Sequence, residues 1–178
     1  MADEDGGTQW FVPNNSRISG FLGAAVAAVV VVVATVQTDP VWIAAGLLLG
    51  MVVWLVLLRP RVGLRGRTLV LRGVASTVEI PLSLLTSSAV RQVFVAWVGE
   101  QRYVNASLGR PARDVRVKRG REVKADPYLD HVQALIASHR DDALRWGDEG
   151  GGVRRRWARG ELTVLAALVV AVVLLIAV

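Results

Sequence analysis

The chain contains no cysteine, so a disulfide, a thiolate metal site and a thiol nucleophile are all excluded. Lysine is nearly missing: of 21 basic residues only Lys118 and Lys124 are not arginine. That skew, together with abundant Ala, Val and Gly, is what a GC-rich genome encodes and points to a bacterial source. Acidic residues number 15, which leaves a formal net charge of +6. Charge of either sign is absent from two long tracts: residues 20–58 hold only Asp39, and residues 162–178 hold none.

A chain of 178 residues that is 53% hydrophobic and 20% charged must keep the two kinds apart, and this one does. Removing the apolar tracts leaves roughly 85 residues, enough for one small domain near the lower size at which a core supports itself.

About 20 apolar residues in a helix cross a hydrocarbon core about 30 Å thick. Residues 18–36 and 41–58 meet that length, and the polar turn Gln37-Thr38-Asp39-Pro40 between them predicts a tight antiparallel hairpin with Pro40 opening the second helix. Residues 162–178 make a third, shorter span whose flanking arginines can snorkel. Positive residues are retained on the cytoplasmic side. Arg59, Arg61, Arg65 and Arg67 follow the second span, and Arg154, Arg155, Arg156 and Arg159 precede the third, whereas the hairpin turn carries no basic residue. The expected placement is a bacterial cell membrane, crossed several times, with the N-terminus and middle domain cytoplasmic and the C-terminus outside. Trp10, Phe11, Trp42 and Trp157 suit membrane interfaces, while Trp54 falls deeper. A cleaved signal peptide would need a basic start; the acidic Asp3-Glu4-Asp5 and an immediate second span argue against it.

Small residues recur four apart as Gly20, Ala24 and Ala28 in the first span and Gly46 and Gly50 in the second. Such spacing lets helix backbones approach closely. It serves either the packing of the hairpin on itself or a self-association face.

After Arg61 the hydrophobic period shifts toward two. Alternation at 69–72 and 78–80 predicts strands, as do the β-branched and aromatic residues of 92–98 and 102–106, and Gly99-Glu100 predicts a hairpin turn between the last two. One more short hairpin, rich in charge, is expected at 114–118 and 121–124. Asp126 then caps a helix with Pro127 in its first turn and Leu129, Val132, Leu135, Ile136 and Ala143 on one face. The expected fold is an antiparallel sheet curled on itself and covered by that helix. The expected layout is a tail at 1–17, a transmembrane hairpin at 18–58, a domain at 59–146, a flexible basic linker at 147–160 that includes Gly150-Gly151-Gly152, and a last span at 161–178.

The run Arg59-Pro60-Arg61-Val62-Gly63-Leu64-Arg65-Gly66-Arg67-Thr68-Leu69-Val70-Leu71-Arg72-Gly73, the phrase Val78-Glu79-Ile80-Pro81-Leu82, the strand at 93–98 and the helix at 127–140 resemble the bacterial pleckstrin-homology (PH-like) domains of small actinobacterial membrane proteins. The resemblance covers about residues 59–146. It implies a PH-like split β-barrel of about seven strands with a C-terminal capping helix, set between a transmembrane helical hairpin and a C-terminal transmembrane helix and used for binding or assembly.

Arg110, Arg113, Arg116, Lys118, Arg119, Arg121 and Lys124 crowd one short stretch. Near a cytoplasmic leaflet each contributes on the order of 1 kcal/mol of attraction to anionic lipid. The plainer reading is a solvated hairpin that obeys the charge rule. Nucleic acid is not expected as a partner, because the stretch lacks interleaved aromatics. His131 and His139 are too far apart on their helix for a metal pair, so neither a metal nor another cofactor is expected. Ser83, Thr86, Ser87 and Ser88 have no adjacent base, and no phosphate loop is present, so no catalytic residue is assigned. Asn14 and Asn105 match the glycosylation pattern but fall on the expected cytoplasmic side. Asp39 and Glu161 lie at span ends, within reach of water. The sequence thus predicts a non-enzymatic membrane protein whose domain binds a protein partner or anionic lipid. The alternative is an accessory subunit of a larger membrane complex, with its main contacts made by the spans.

Overall fold

The structure, a computed structural model, describes residues 7–12, 17–90, 92–109, 126–146 and 151–177. These fall into two compact units. One comprises the described residues of 7–12 and 60–156, and the other those of 17–59 and 157–177.

The second unit is helical. Helix α1 (Arg17–Gln37) and helix α2 (Pro40–Val53) form the expected hairpin, and α2 continues as a π-helical turn at Trp54–Leu58. Asp39 starts α2 by accepting hydrogen bonds from the Val41 and Trp42 amides at 3.0 and 3.4 Å, while Pro40 fills the first position. Three helical stretches, Ser19–Gln37, Pro40–Leu58 and Arg159–Ala177, are long and apolar enough to cross a membrane. The third lies in the last helix of the chain, which begins at Arg159 and so gains a turn over the tract visible as an apolar run.

Close approach of α1 and α2 depends on missing side chains. A Cβ on Gly46 would lie 2.7 Å from Val31 Cγ2 and 3.2 Å from the Val31 amide nitrogen, and one on Gly20 would lie 2.6 Å from Leu58 Cδ2. Gly50 faces Ala27. These glycines lie in the seam of the hairpin itself. The rest of the α1 seam differs from the expected line: Ala27 and Ala34 are buried, whereas Ala24 is half-buried and Ala28 exposed. Gly20, Ala27 and Ala34 recur every seven residues, the period that keeps one seam on a left-handed partner, where a four-residue repeat would drift away.

Among its described residues the first unit holds eight strands in two sheets. The larger has the order β1 (Gln9–Trp10), β2 (Arg61–Arg65), β3 (Thr68–Arg72), β4 (Ser76–Pro81), β8 (Arg154–Trp157), of which Trp157 already belongs to the helical unit. The smaller has β5 (Ser87–Val90), β6 (Phe94–Val98) and β7 (Gln101–Asn105). Strands β1 to β4 and β5 to β7 pair antiparallel. Gly66 and Gly99, at φ +54° and +57°, open the two-residue turns β2–β3 and β6–β7, as a type II′ turn requires at its first central position. A 3-10 turn at Leu82–Leu84 interrupts the chain between β4 and β5, so the strands stay in two sheets and the barrel implied by the PH-like resemblance is not closed. Helix α3 (Pro127–Trp146) buries Leu129, Val132, Ile136 and Ala143 and packs on that turn and on β5. Its cap is as expected, with Asp126 Oδ1 accepting from the Tyr128 and Leu129 amides. The core joins these residues to Val62, Leu64, Leu69, Leu71, Ile80, Phe94 and Leu108.

Both outer strands of the larger sheet depart from the expected layout. β1 lies in the segment expected as a tail, where the Phe11 amide donates to the Val62 carbonyl at 2.9 Å and Phe11 enters the core. β8 lies in the segment expected as a linker, where Arg155 Nε donates to Ser76 Oγ at 3.1 Å. The last helix, α4 (Arg159–Ala177), starts after Ala158 alone and packs on α2. The hairpin expected at 114–124 lies outside the described residues.

Candidate functional site

Pairing register sets which side chains share a face. Val62, Leu71 and Val78 lie in one row across β2, β3 and β4, and Leu64, Leu69 and Ile80 lie in the next; both rows face the core. Because side chains alternate along a strand, Arg61, Arg65, Thr68, Arg72, Thr77 and Glu79 occupy the opposite face. Ser76 is in phase with Val78, so Arg155, which reaches it and is itself exposed, lies on the Val78 side of the sheet and leaves Arg154 and Arg156 on the outer face.

That face carries five arginines and one acid. Glu79 is taken by Arg65, whose Nη2 lies 3.1 Å from Glu79 Oε1 and whose Nε donates to Thr8 Oγ1 at 3.2 Å. Among the described residues no acidic side chain pairs with Arg61, Arg72, Arg154 or Arg156. Arg61 and Arg72 are directly opposite each other on the last rung of the β2–β3 ladder. Like charges so placed cost up to about 1 kcal/mol. On its other side Arg72 meets Thr77, which has no charge to offer. Arg61, Arg154 and Arg156 are exposed and Arg72 is half-buried. The cluster occupies one end of the sheet, where β2 begins, β3 ends and β4 starts. An anion set there would meet planar guanidinium forks suited to bidentate hydrogen bonding.

The other arginines expected at a membrane interface are placed differently. Arg59 belongs to the helical unit, where its Nη2 lies 3.3 Å from Glu161 Oε1 with the arginine side chain 4% and the glutamate 28% exposed. The π-turn sets this up: the Arg59 amide donates to the Trp54 carbonyl at 2.7 Å, five residues back. One extra residue in a turn rotates the chain beyond it by roughly 100° relative to a continuous α-helix. Arg59 is thus a buried partner of α4. Arg67 Nη1 donates to the Trp146 carbonyl at 3.5 Å, at the negative end of the α3 dipole. Arg159 is exposed at the first position of α4.

The seven basic residues from Arg110 to Lys124 lie outside the described residues, as does Asn14. His131 is exposed and His139 half-buried, and among the described residues no group of three His, Asp or Glu side chains converges as metal ligands. Of the polar cluster, Ser83 lies in the 3-10 turn, Ser87 and Ser88 start β5, and Thr86 Oγ1 accepts from the Gly99 amide at 2.9 Å. Asn105, 3% exposed, donates through Nδ2 to the carbonyls of Arg61 and Arg72 at 3.3 and 2.8 Å and accepts from the Ser107 amide at 2.9 Å. It is a structural residue that ties β7 to the other sheet beneath the arginine cluster. Arg72 and Asn105 were not legible as a pair with Arg61, since only the register unites them.

No family model matches the chain, and no curated protein or solved structure matches it.

Proposed function

We propose that this chain is a non-enzymatic, membrane-anchored binding module. Its three apolar helices span the membrane and hold a PH-like domain on the cytoplasmic side, where the arginine face of the larger sheet binds an acidic partner, protein or lipid. The observation that carries this reading is the Arg61–Arg72 pair: two like charges held opposite each other, with no acidic partner among the described residues. A fold keeps such a local cost where a ligand relieves it. Cytoplasmic placement rests on the arginines that flank the second and third spans.

An accessory-subunit reading has one observation in its favour. Helix α4 packs on α2 yet has no buried residue, so most of its apolar surface is open to lipid or to another helix. One experiment separates the two. Residues 60–156 are replaced by a Gly/Ser linker, and partners are captured by cross-linking in native membranes. The binding-module reading expects domain-dependent cross-links to vanish; retention of the same partners by the spans alone would establish the subunit reading instead.

A further inference from the structure

We propose that the end of the larger sheet bearing Arg61, Arg72, Arg154 and Arg156 binds the phosphodiester headgroup of an anionic phospholipid. This rests on the binding-module reading and names its ligand. A phosphodiester monoanion between two opposed guanidinium groups replaces one repulsion with two attractions, each reinforced by charge-assisted hydrogen bonds. Arg61 and Arg72 supply the opposed pair, fixed by their shared rung. Arg154 and Arg156 extend the same face on β8, which Arg155 pins to Ser76 at the start of β4. Glu79, the one acid on this face, is engaged by Arg65 and does not neutralise the cluster.

Chain connectivity favours lipid over a soluble acidic protein. β2 follows the second apolar helix after Arg59 and Pro60, and β8 is followed by α4 after Ala158 alone. Two of the three strands that carry the cluster, β2 and β8, adjoin apolar helices along the chain. For a domain anchored in this way, the headgroups of the leaflet are the anions at the highest local concentration. The charge rule for membrane proteins accounts for arginines near a span, but it does not ask for two of them on one rung with threonine beside them.

The test uses the full chain purified in an uncharged detergent, with thermal unfolding followed in the presence of short-chain phosphatidylglycerol, short-chain phosphatidylcholine, inorganic phosphate or polyglutamate. Phosphatidylglycerol at a hundred times its dissociation constant is expected to raise the midpoint by about 5–10 °C. Phosphatidylcholine, whose quaternary ammonium cancels the charge of its phosphodiester, is expected to raise it far less, and the phosphatidylglycerol increment to shrink with added salt. Arg72→Gln is expected to raise the lipid-free midpoint slightly, because the repulsion is gone, while removing most of the lipid increment. Thr77→Glu, which supplies an internal counter-charge without deleting an arginine, is expected to do the same. A residue with only a structural role would move the lipid-free midpoint the other way. Equal increments from the two lipids would overturn the proposal. So would an increment from inorganic phosphate matching that from phosphatidylglycerol, which would mark a free-anion site, or an increment from polyglutamate alone, which would mark a protein-binding face. In each of these cases domain-dependent cross-links in native membranes would still stand as separate support for the binding module.

Discussion

The side-chain amide of Asn105 donates to two carbonyls on the β2–β3 ladder and accepts from the Ser107 amide, so one short side chain joins β7 to the other sheet. Removing it leaves the buried Ser107 amide without its acceptor, at about 1–3 kcal/mol for an unsatisfied group, and takes away two further bonds to part-buried ladder carbonyls. Asn105→Ala is expected to destabilise the domain by about 2–4 kcal/mol, seen as a midpoint lowered by roughly 5–15 °C in thermal unfolding of the purified chain. In the sequence this residue reads only as part of an Asn-Ala-Ser triplet. Its role depends on contacts with Arg61 and Arg72, distant in sequence and brought to it by the pairing of strands. The same holds for the arginine face, since residues 61, 72 and 154 share a surface only once four strands, β2, β3, β4 and β8, are paired.

At the scale of elements, the π-turn at Trp54–Leu58 delivers Arg59 to Glu161 and so links the end of the helical hairpin to the start of α4. Deleting one partner of a buried pair is costlier than deleting both, because a lone charge is left without its counter-charge. Glu161→Leu is expected to destabilise the helical unit by about 2–4 kcal/mol, and Arg59→Met with Glu161→Leu to recover most of that loss. A double-mutant cycle on thermal unfolding in detergent measures both. The elements that the sequence made legible share a property: β3, β4, β6 and α3 each place apolar residues against the core at a regular period, and β7 is marked by the Gly99 turn that pairs it with β6. Those that escaped lack it. β1 has two residues, β5 starts with two serines, and β8 reads Arg-Arg-Arg-Trp with every residue exposed. An edge strand with no buried face leaves no hydrophobic period to detect. The π-turn is equally silent, because Trp-Leu-Val-Leu-Leu suits any apolar helix.

For the whole molecule, segregation of apolar from charged residues anticipated two units, since no single core accommodates both kinds of surface. The proposed topology puts an odd number of spans between the N-terminus and the C-terminus, with the arginine-rich domain inside. A phosphatase reporter fused after Val178 is expected to be active, and one inserted in the Gly151–Gly152 segment inactive, in reporter assays on intact cells; the reverse pattern would refute the orientation.

The order of the larger sheet also governs how the protein can be assembled. β2, β3 and β4 are neighbours along the chain and can zip together through the Gly66 turn as soon as they are made. Their flanks cannot. β1 must be fetched from the far side of the entire helical hairpin, and β8 meets Ser76 from 79 residues away. Contacts of such separation form slowly. A nascent chain therefore passes through a stage with both margins of a three-stranded core bare and open to mispairing. The strand that ends this exposure emerges immediately ahead of α4, which makes completion of the domain and threading of the final helix neighbouring events in biogenesis.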